Sequence, residues 1–293
     1  MIDQILIQEG LLLISAEPKT GKSMVSLDLA ISIASEKPFF NYYKTNRSGS
    51  VLFYNAEDQE SVTRERCLSL CRANNIDPDH IDINFISPSS DIMLDSPEGL
   101  NRLRQAIQET KPDIVILDCF IRLHQIDENN SKQVASVLQK LKDIRNEFGS
   151  AICLVHHNRK SGSSGRSASR IRGSSEMLAF FDAAIILNKD INGDIKMSVE
   201  HKAAQCIQDV AIRLTNEDGE ICPHLQSEKS SALVSVSKPS NEDVVRMAVK
   251  SGVTPIAFES LATTVGLSGH ELRDILYKLI KSKFIRHTPH GYH

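Results

Sequence analysis

Ala16-Glu17-Pro18-Lys19-Thr20-Gly21-Lys22-Ser23 is the stretch on which the reading of this chain turns. The apolar run Leu11-Leu12-Leu13-Ile14-Ser15 precedes it and reads as a buried strand. Met24, Val25, Leu27, Ala30, Ile31 and Ala34 follow at helical spacing. Strand, Gly-Lys-Ser loop and helix in that order are the setting of a phosphate-binding loop. Loop N–H groups and the positive end of the helix then face one point where a phosphate chain can sit. Glu17, Pro18, Lys19, Thr20, Gly21, Lys22, Ser23 and Met24 are the expected cradle. Lys22 supplies a point charge to the outer phosphates, and the Ser23 hydroxyl is placed to hold Mg²⁺. Ala16 stands where the motif usually has its first glycine and would resist a positive φ there. Lys19 lies inside the loop, where it would crowd or aid the phosphates.

The 293 residues suggest about two domains, one sizeable core and a smaller appendage. No apolar stretch is long enough to span a bilayer, and Asp3, Gln4, Gln8 and Glu9 interrupt the only early apolar segment. A cytoplasmic location with no membrane partner is expected. The six cysteines are scattered, with no C-x-x-C pair, and read as reduced, buried thiols. A net charge of −3 does not advertise nucleic-acid binding, so the distribution of charge carries more information than its sum.

Strand-like segments at 11–15, 51–56, 113–118, 151–156, 183–187, 195–200 and 210–214 alternate with helical ones. The runs 113–118 and 151–155 are almost wholly apolar, as parallel strands covered on both faces are. Val134, Val137, Leu138, Leu141, Ile144 and Phe148 recur at helical spacing between them. The expected fold is α/β, a parallel sheet extended by antiparallel strands. The core is expected over 1–226, a Ser/Lys-rich linker over 227–241 and a small helical module over 242–293. Within that module, 260–268 and 271–280 have helix-turn-helix form, and Phe284-Ile285-Arg286-His287 with the closing His290-Gly291-Tyr292-His293 suits a small wing.

Asp118 ends an apolar run and suits the Mg²⁺-supporting carboxylate. Glu57, with Asp58 beside it, lies just past strand 51–56 and is the candidate base for the attacking water. The plainer alternative is a helix N-terminal carboxylate. His156 and His157 close the next strand after Asp118, and one of them, His157 by preference, would contact the γ-phosphate or the water. Arg159, Lys160, Arg166, Arg170 and Arg172 occupy a Gly/Ser-rich loop with no acidic residue. That loop would track a nucleic-acid backbone without reading bases, or else be merely solvated.

Glu57-Asp58, Leu117-Asp118, Leu154-Val155-His156-His157 and Arg172-Gly173-Ser174-Ser175, in this order, resemble the RecA/DnaB-like ATPases, above all the RepA-type plasmid hexameric replicative helicases. The resemblance covers about residues 8–215. It implies a RecA-like sheet, a ring of six subunits, ATP between neighbours, Glu57 as catalytic base and the 159–173 loop in a channel carrying single-stranded DNA. It also implies a cation donated by the neighbouring subunit, with Lys202 the first choice and Arg172 the second; such a finger contributes ~10³–10⁵ in rate.

The expected activity is therefore an ATP-hydrolysing, ring-forming DNA helicase or translocase on single-stranded DNA, of a plasmid or other mobile element. The alternatives are a RecA- or KaiC-like remodelling or signalling ATPase, and an ATP-switched DNA-binding regulator. Lys278, Lys281, Lys283 and Arg286 leave open whether the C-terminal module meets duplex DNA or a replication protein.

Overall fold

The P-loop strand sits inside a sheet of nine strands among the described residues. A computed structural model describes residues 1–157, 174–189, 194–214, 223–225, 249, 257–265, 269–281, 287–288 and 291–292. The strands are β1 (Leu11–Ala16), β2 (Val51–Asn55), β3 (Ile83–Ile86), β4 (Ile114–Asp118), β5 (Ala151–His157), β6 (Ala183–Lys189), β7 (Ile195–His201), β8 (Ile207–Arg213) and β9 (His224–Leu225). They lie in the order β3-β2-β4-β5-β1-β6-β7-β8-β9; neighbours from β3 to β6 are parallel, and β7, β8 and β9 extend the sheet antiparallel. This is the α/β architecture the sequence predicts.

Strand β3 has no counterpart among the strands expected from sequence. It lies at the sheet edge, none of its residues is fully buried, and polar Asn84 interrupts it. A half-covered edge strand lacks the long apolar run by which its parallel neighbours are recognised.

Helices α1 (Lys22–Ser35), α2 (Glu60–Ala73), α3 (Pro97–Thr110), α4 (Ser131–Phe148) and α5 (Ser174–Phe180) connect the strands. Ser96 caps α3 by accepting the Gly99 N–H, with Pro97 at its first position, and Asn130 caps α4 through the N–H groups of Lys132 and Gln133. Gly149 ends α4 at φ 68°, where the left-handed turn favours glycine. Leu100, Leu103 and Ile107 of α3 and Val134, Val137, Leu138, Leu141 and Ile144 of α4 bury against one sheet face. The strand residues on that face alternate: Leu11 and Leu13, Leu52 and Tyr54, Val115 and Leu117, Ile152 and Leu154. Each full burial of such a side chain contributes about 1.5–3 kcal/mol.

The chain forms two units, Met1–Lys229 and Ser230–His293. In the second, α6 (Phe258–Val265) and α7 (Gly269–Lys281) precede two short antiparallel strands, β10 (His287–Thr288) and β11 (Gly291–Tyr292). Val249, Leu261, Leu272, Leu276 and Leu279 form its small core. The expected linker at 227–241 lies outside the described residues. Cys67, Cys71, Cys119, Cys153 and Cys206 are free thiols, and Cys222 lies outside the described residues. Among the described residues no helix is long and apolar enough to cross a membrane.

Asp28 sits fully buried inside α1, accepting the Phe40 N–H at 3.1 Å. Burial pushes its carboxyl up to about 7 from an ordinary 3.8, against the opposing hydrogen bond. Between those values the folded chain keeps a proton that the unfolded chain has lost, so this group lowers stability as pH rises from 4 to 7. Asp28→Asn retains the acceptor and removes the ionisation. Its thermal midpoint should exceed wild type by at least about 2 °C at pH 8, the gain fading toward pH 4; melting curves across that range check it.

Candidate active site

Every parallel strand ends at the same sheet edge, and there the chemistry-bearing residues collect. Ala16 is the last residue of β1, paired with His157 on one side and Leu187 on the other. The left-handed positions fall elsewhere in the loop, at Lys19 (φ 60°) and Gly21 (φ 88°). The strain anticipated at Ala16 therefore does not arise, because that residue is extended strand. Lys19 carries it instead, at a cost of about 1–2 kcal/mol. Its carbonyl accepts the Lys189 ammonium at 2.8 Å, which ties the loop to the end of β6. At Gly21 the backbone angle requires glycine, and a Cβ there would lie 2.4 Å from Cδ1 of Leu214 and displace that side chain.

The loop offers donors in need of an acceptor. Helix α1 starts at Gly21 with no side-chain cap and no acidic residue in its first turn, unlike the capped α3 and α4. Its leading N–H groups stay open to an anion. Thr20 Oγ1 is buried without a hydrogen-bond partner, and Lys22 Nζ bends back to the Glu17 carbonyl at 3.2 Å. Burial lowers the Lys22 pKa, opposed by the nearby Asp118, Cys119 and Glu57. These features fit a bound phosphate chain, and the P-loop fold implies a nucleotide.

Asp118 closes β4 and is almost wholly inaccessible. Burial raises it to about 6, against hydrogen bonds from the Ser23 and Ser26 hydroxyls and the charge of Lys22. Ser26 Oγ donates to Asp118 Oδ2 at 3.2 Å. Ser23 and Asp118 are an all-oxygen donor pair, as a hard dication such as Mg²⁺ requires.

Glu57 and Asp58 follow β2 in a turn built by Asn55, whose Oδ1 accepts both of their N–H groups at 2.9 and 3.0 Å. Asp58 is turned aside into an ion pair with Arg66. Glu57 faces the centre of the site. Its Oε2 accepts the Cys119 thiol at 3.3 Å and lies 3.5 Å from His157 Nε2. Burial, then the charge of Lys22, lowers the His157 pKa, so the imidazole is neutral at pH 7.

The two histidines have different surroundings because neighbouring strand residues point to opposite faces. His156 is buried 3.5 Å from Glu128 Oε2, while His124 lies 3.5 Å from the other oxygen of that carboxylate. Phe120 covers both rings. His157 alone reaches Glu57.

Lys202 is remote from this cluster. Its N–H donates to the Asp182 carbonyl just past the Ala183–His201 pair, level with Leu12 of β1. Ala16 is four residues farther along, about 13 Å at strand rise. The Lys202 ammonium donates to the Ala179 carbonyl at 2.6 Å, beside a cavity of about 180 Å³ lined by Phe181, Asp182, Glu200, His201 and Cys206. Arg159, Lys160, Arg166, Arg170 and Arg172 lie outside the described residues.

Asn55, Ser26, Arg66 and Cys119 join the site without being singled out from sequence, and the His124–Glu128 pair encloses His156 on the opposite face. Asn55 had a legible signal, an Asx residue at a strand end before two acids. Ser26 follows Ser23 by three residues and so shares its helix face. Cys119 had only its adjacency to Asp118.

His156→Ala should destabilise the fold by about 3 kcal/mol or more, since it strips a partner from a buried carboxylate. His157→Asn should stay within about 1 kcal/mol of wild type while reducing ATP turnover. Denaturant midpoints and ATPase assays on the two variants separate these roles.

The family described as AAA domain (AAA_25) matches residues 1–163, more than half of the chain. No curated protein sequence matches it. Among solved structures, the chain is similar to one described as an ATPase domain, with TM-score 0.55 and 14% identity over 75% of this chain and 86% of that one. It is also similar to the KaiC-like protein PH0186 from Pyrococcus horikoshii OT3, with TM-score 0.50 and 14% identity over 77% and 93% of the two chains. At such identities the likeness speaks for the fold, while the sequence match extends over the loop, Glu57, Asp118 and both histidines. The chain belongs to the AAA domain family and is a P-loop ATPase of RecA/DnaB-like fold.

Proposed function

We propose that this ATPase is a ring-forming replicative DNA helicase or translocase on single-stranded DNA, of a plasmid or other mobile element, with each site completed by a neighbouring copy. The observation that carries this reading is the separation of charges. Lys22, Asp118, Glu57 and His157 gather at one sheet edge, while Lys202 stands at the other, out of reach of its own loop. A cation so placed can serve a γ-phosphate only across an interface.

In this reading Ser23 and Asp118 would hold Mg²⁺, which neutralises charge on the phosphates when bound. Lys22 leaves the Glu17 carbonyl for the outer phosphates. Glu57 takes a proton from water as the water oxygen bonds to the γ-phosphorus and the bond to ADP breaks. The neutral His157 imidazole steadies Glu57 and senses its protonation. The basic segment 159–172 contacts the DNA backbone, and Arg172 is the second choice for the cation in trans. The module at 242–293, a helix pair followed by a hairpin, suits a winged-helix contact with duplex DNA or a replication protein.

Glu57→Gln should bind ATP with near wild-type affinity and lose at least about 10² in turnover. Lys202→Ala should lose about 10³. Mixing the two inactive variants should restore part of the activity, because some interfaces then pair an intact Glu57 with an intact Lys202. Absence of any recovery would sink the shared site. Replacing Arg159, Lys160, Arg166 and Arg170 by Ala should abolish stimulation by single-stranded DNA. Mass measurement decides between readings: a nucleotide-stabilised hexamer supports the ring, and a monomer or dimer supports an ATP-switched regulator.

A further inference from the structure

We propose that Glu57, Cys119 and His157 bind one zinc-class dication, at a position distinct from the Ser23–Asp118 pair, and that its occupancy silences hydrolysis. The silencing half rests on Glu57 being the base; the binding half does not.

Three different donors converge here, a carboxylate oxygen, a thiol sulfur and an imidazole nitrogen, all within 4.8 Å of one another. Tetrahedral coordination with Zn–S of about 2.3 Å and Zn–N or Zn–O of about 2.0–2.1 Å sets adjacent ligand atoms about 3.3–3.6 Å apart. The distances from Glu57 Oε2 are 3.3 Å to Cys119 Sγ and 3.5 Å to His157 Nε2. Those two pairs already have the spacing a tetrahedral ion imposes. Solvent reaches the cluster, since the Glu57 side chain is 45% exposed, and this leaves a fourth position for water.

The donor set also decides which ion. Sulfur and imidazole favour zinc and its neighbours over magnesium, which takes oxygen ligands. Mg²⁺ held by Ser23 and Asp118 therefore does not compete for this cluster. Asp118 lies beside Cys119 and adds its negative field to that of Glu57, and the Lys22 ammonium, which faces the same atoms, opposes the two carboxylates. On binding, the Cys119 S–H proton passes to solvent and the sulfur lone pair bonds the metal. Glu57 Oε2, which accepted that S–H, becomes a ligand. The dication then neutralises the carboxylate charge and draws electron density from both oxygens, so Glu57 loses the basicity needed to take a proton from water.

Cobalt(II) makes the site visible, since a cobalt–thiolate bond absorbs in the near ultraviolet. Nucleotide-free full-length protein, titrated with Co²⁺ in excess Mg²⁺, should develop that band with a single equivalent and lose it when Zn²⁺ is added. Cys119→Ser should abolish the band, and His157→Asn should weaken cobalt binding at least about tenfold. Zn²⁺ should lower wild-type ATP turnover with the midpoint at which it displaces cobalt. In Cys119→Ser, whatever its own rate, that midpoint should rise at least about tenfold. A missing thiolate band overturns the site, as does one that survives in Cys119→Ser and so belongs to another thiol such as Cys67 or Cys71. Binding without loss of turnover overturns the silencing. Zinc-free Glu57→Gln tests the base separately: wild-type turnover there removes the catalytic reading and leaves the cobalt result standing.

Discussion

Parallel alignment of the central strands is the constraint from which the site follows. Six neighbouring strands run the same way, so the residues that end β1, β2, β4 and β5 arrive at one edge whatever separates them in sequence. β1 lies between β5 and β6, which places the phosphate loop midway along that edge. Helix α1 then presents its uncapped first turn there. An antiparallel arrangement of the same strands would send Glu57 and Asp118 to opposite ends.

Much of this was legible because burial writes itself into composition. β1, β4 and β5 are covered on both faces, so each is a near-continuous apolar run, and the polar residue that stops the run marks the sheet edge. Asp118 and the histidine pair were found on that ground. The limits were equally physical. β3 is half exposed and leaves no run. The period of two predicts that His156 and His157 diverge, but only packing around Phe120 shows which of them is enclosed. At Ala16 the expected positive φ was borrowed from the usual glycine, whereas here the strand extends to that residue and Lys19 makes the turn. Pairing of Asp58 with Arg66 depends on a helix face that spacing alone does not orient.

The electrostatics of the cluster are those of a site with competing charges. Desolvation disfavours both the cationic form of Lys22 and the anionic form of Asp118, and their mutual attraction only partly offsets it. Such mutual frustration suits a pocket shaped around a polyanion and a dication rather than around itself. Burial, then the charges of Asp118 and Glu57, hold the Cys119 thiol above its ordinary pKa, so the free thiol is a poor nucleophile. The buried His124–Glu128–His156 group lies outside this competition and ties the end of β5 to the segment before α4.

The contact between Gly21 and Leu214 has a mechanical meaning. Leu214 directly follows β8, and β8 is hydrogen-bonded to β7. Lys189, which holds the Lys19 carbonyl, pairs with Ile195 at the start of β7. The other end of β7 carries His201 and Lys202. One seven-residue strand is thus a strut, braced against the phosphate loop at one end and bearing the remote lysine at the other. A sheet strand is stiff along its length, so any displacement of the loop at Gly21 or Lys19 loads the strut. Strain at the loop is thereby carried along the strand toward Lys202 at its far end.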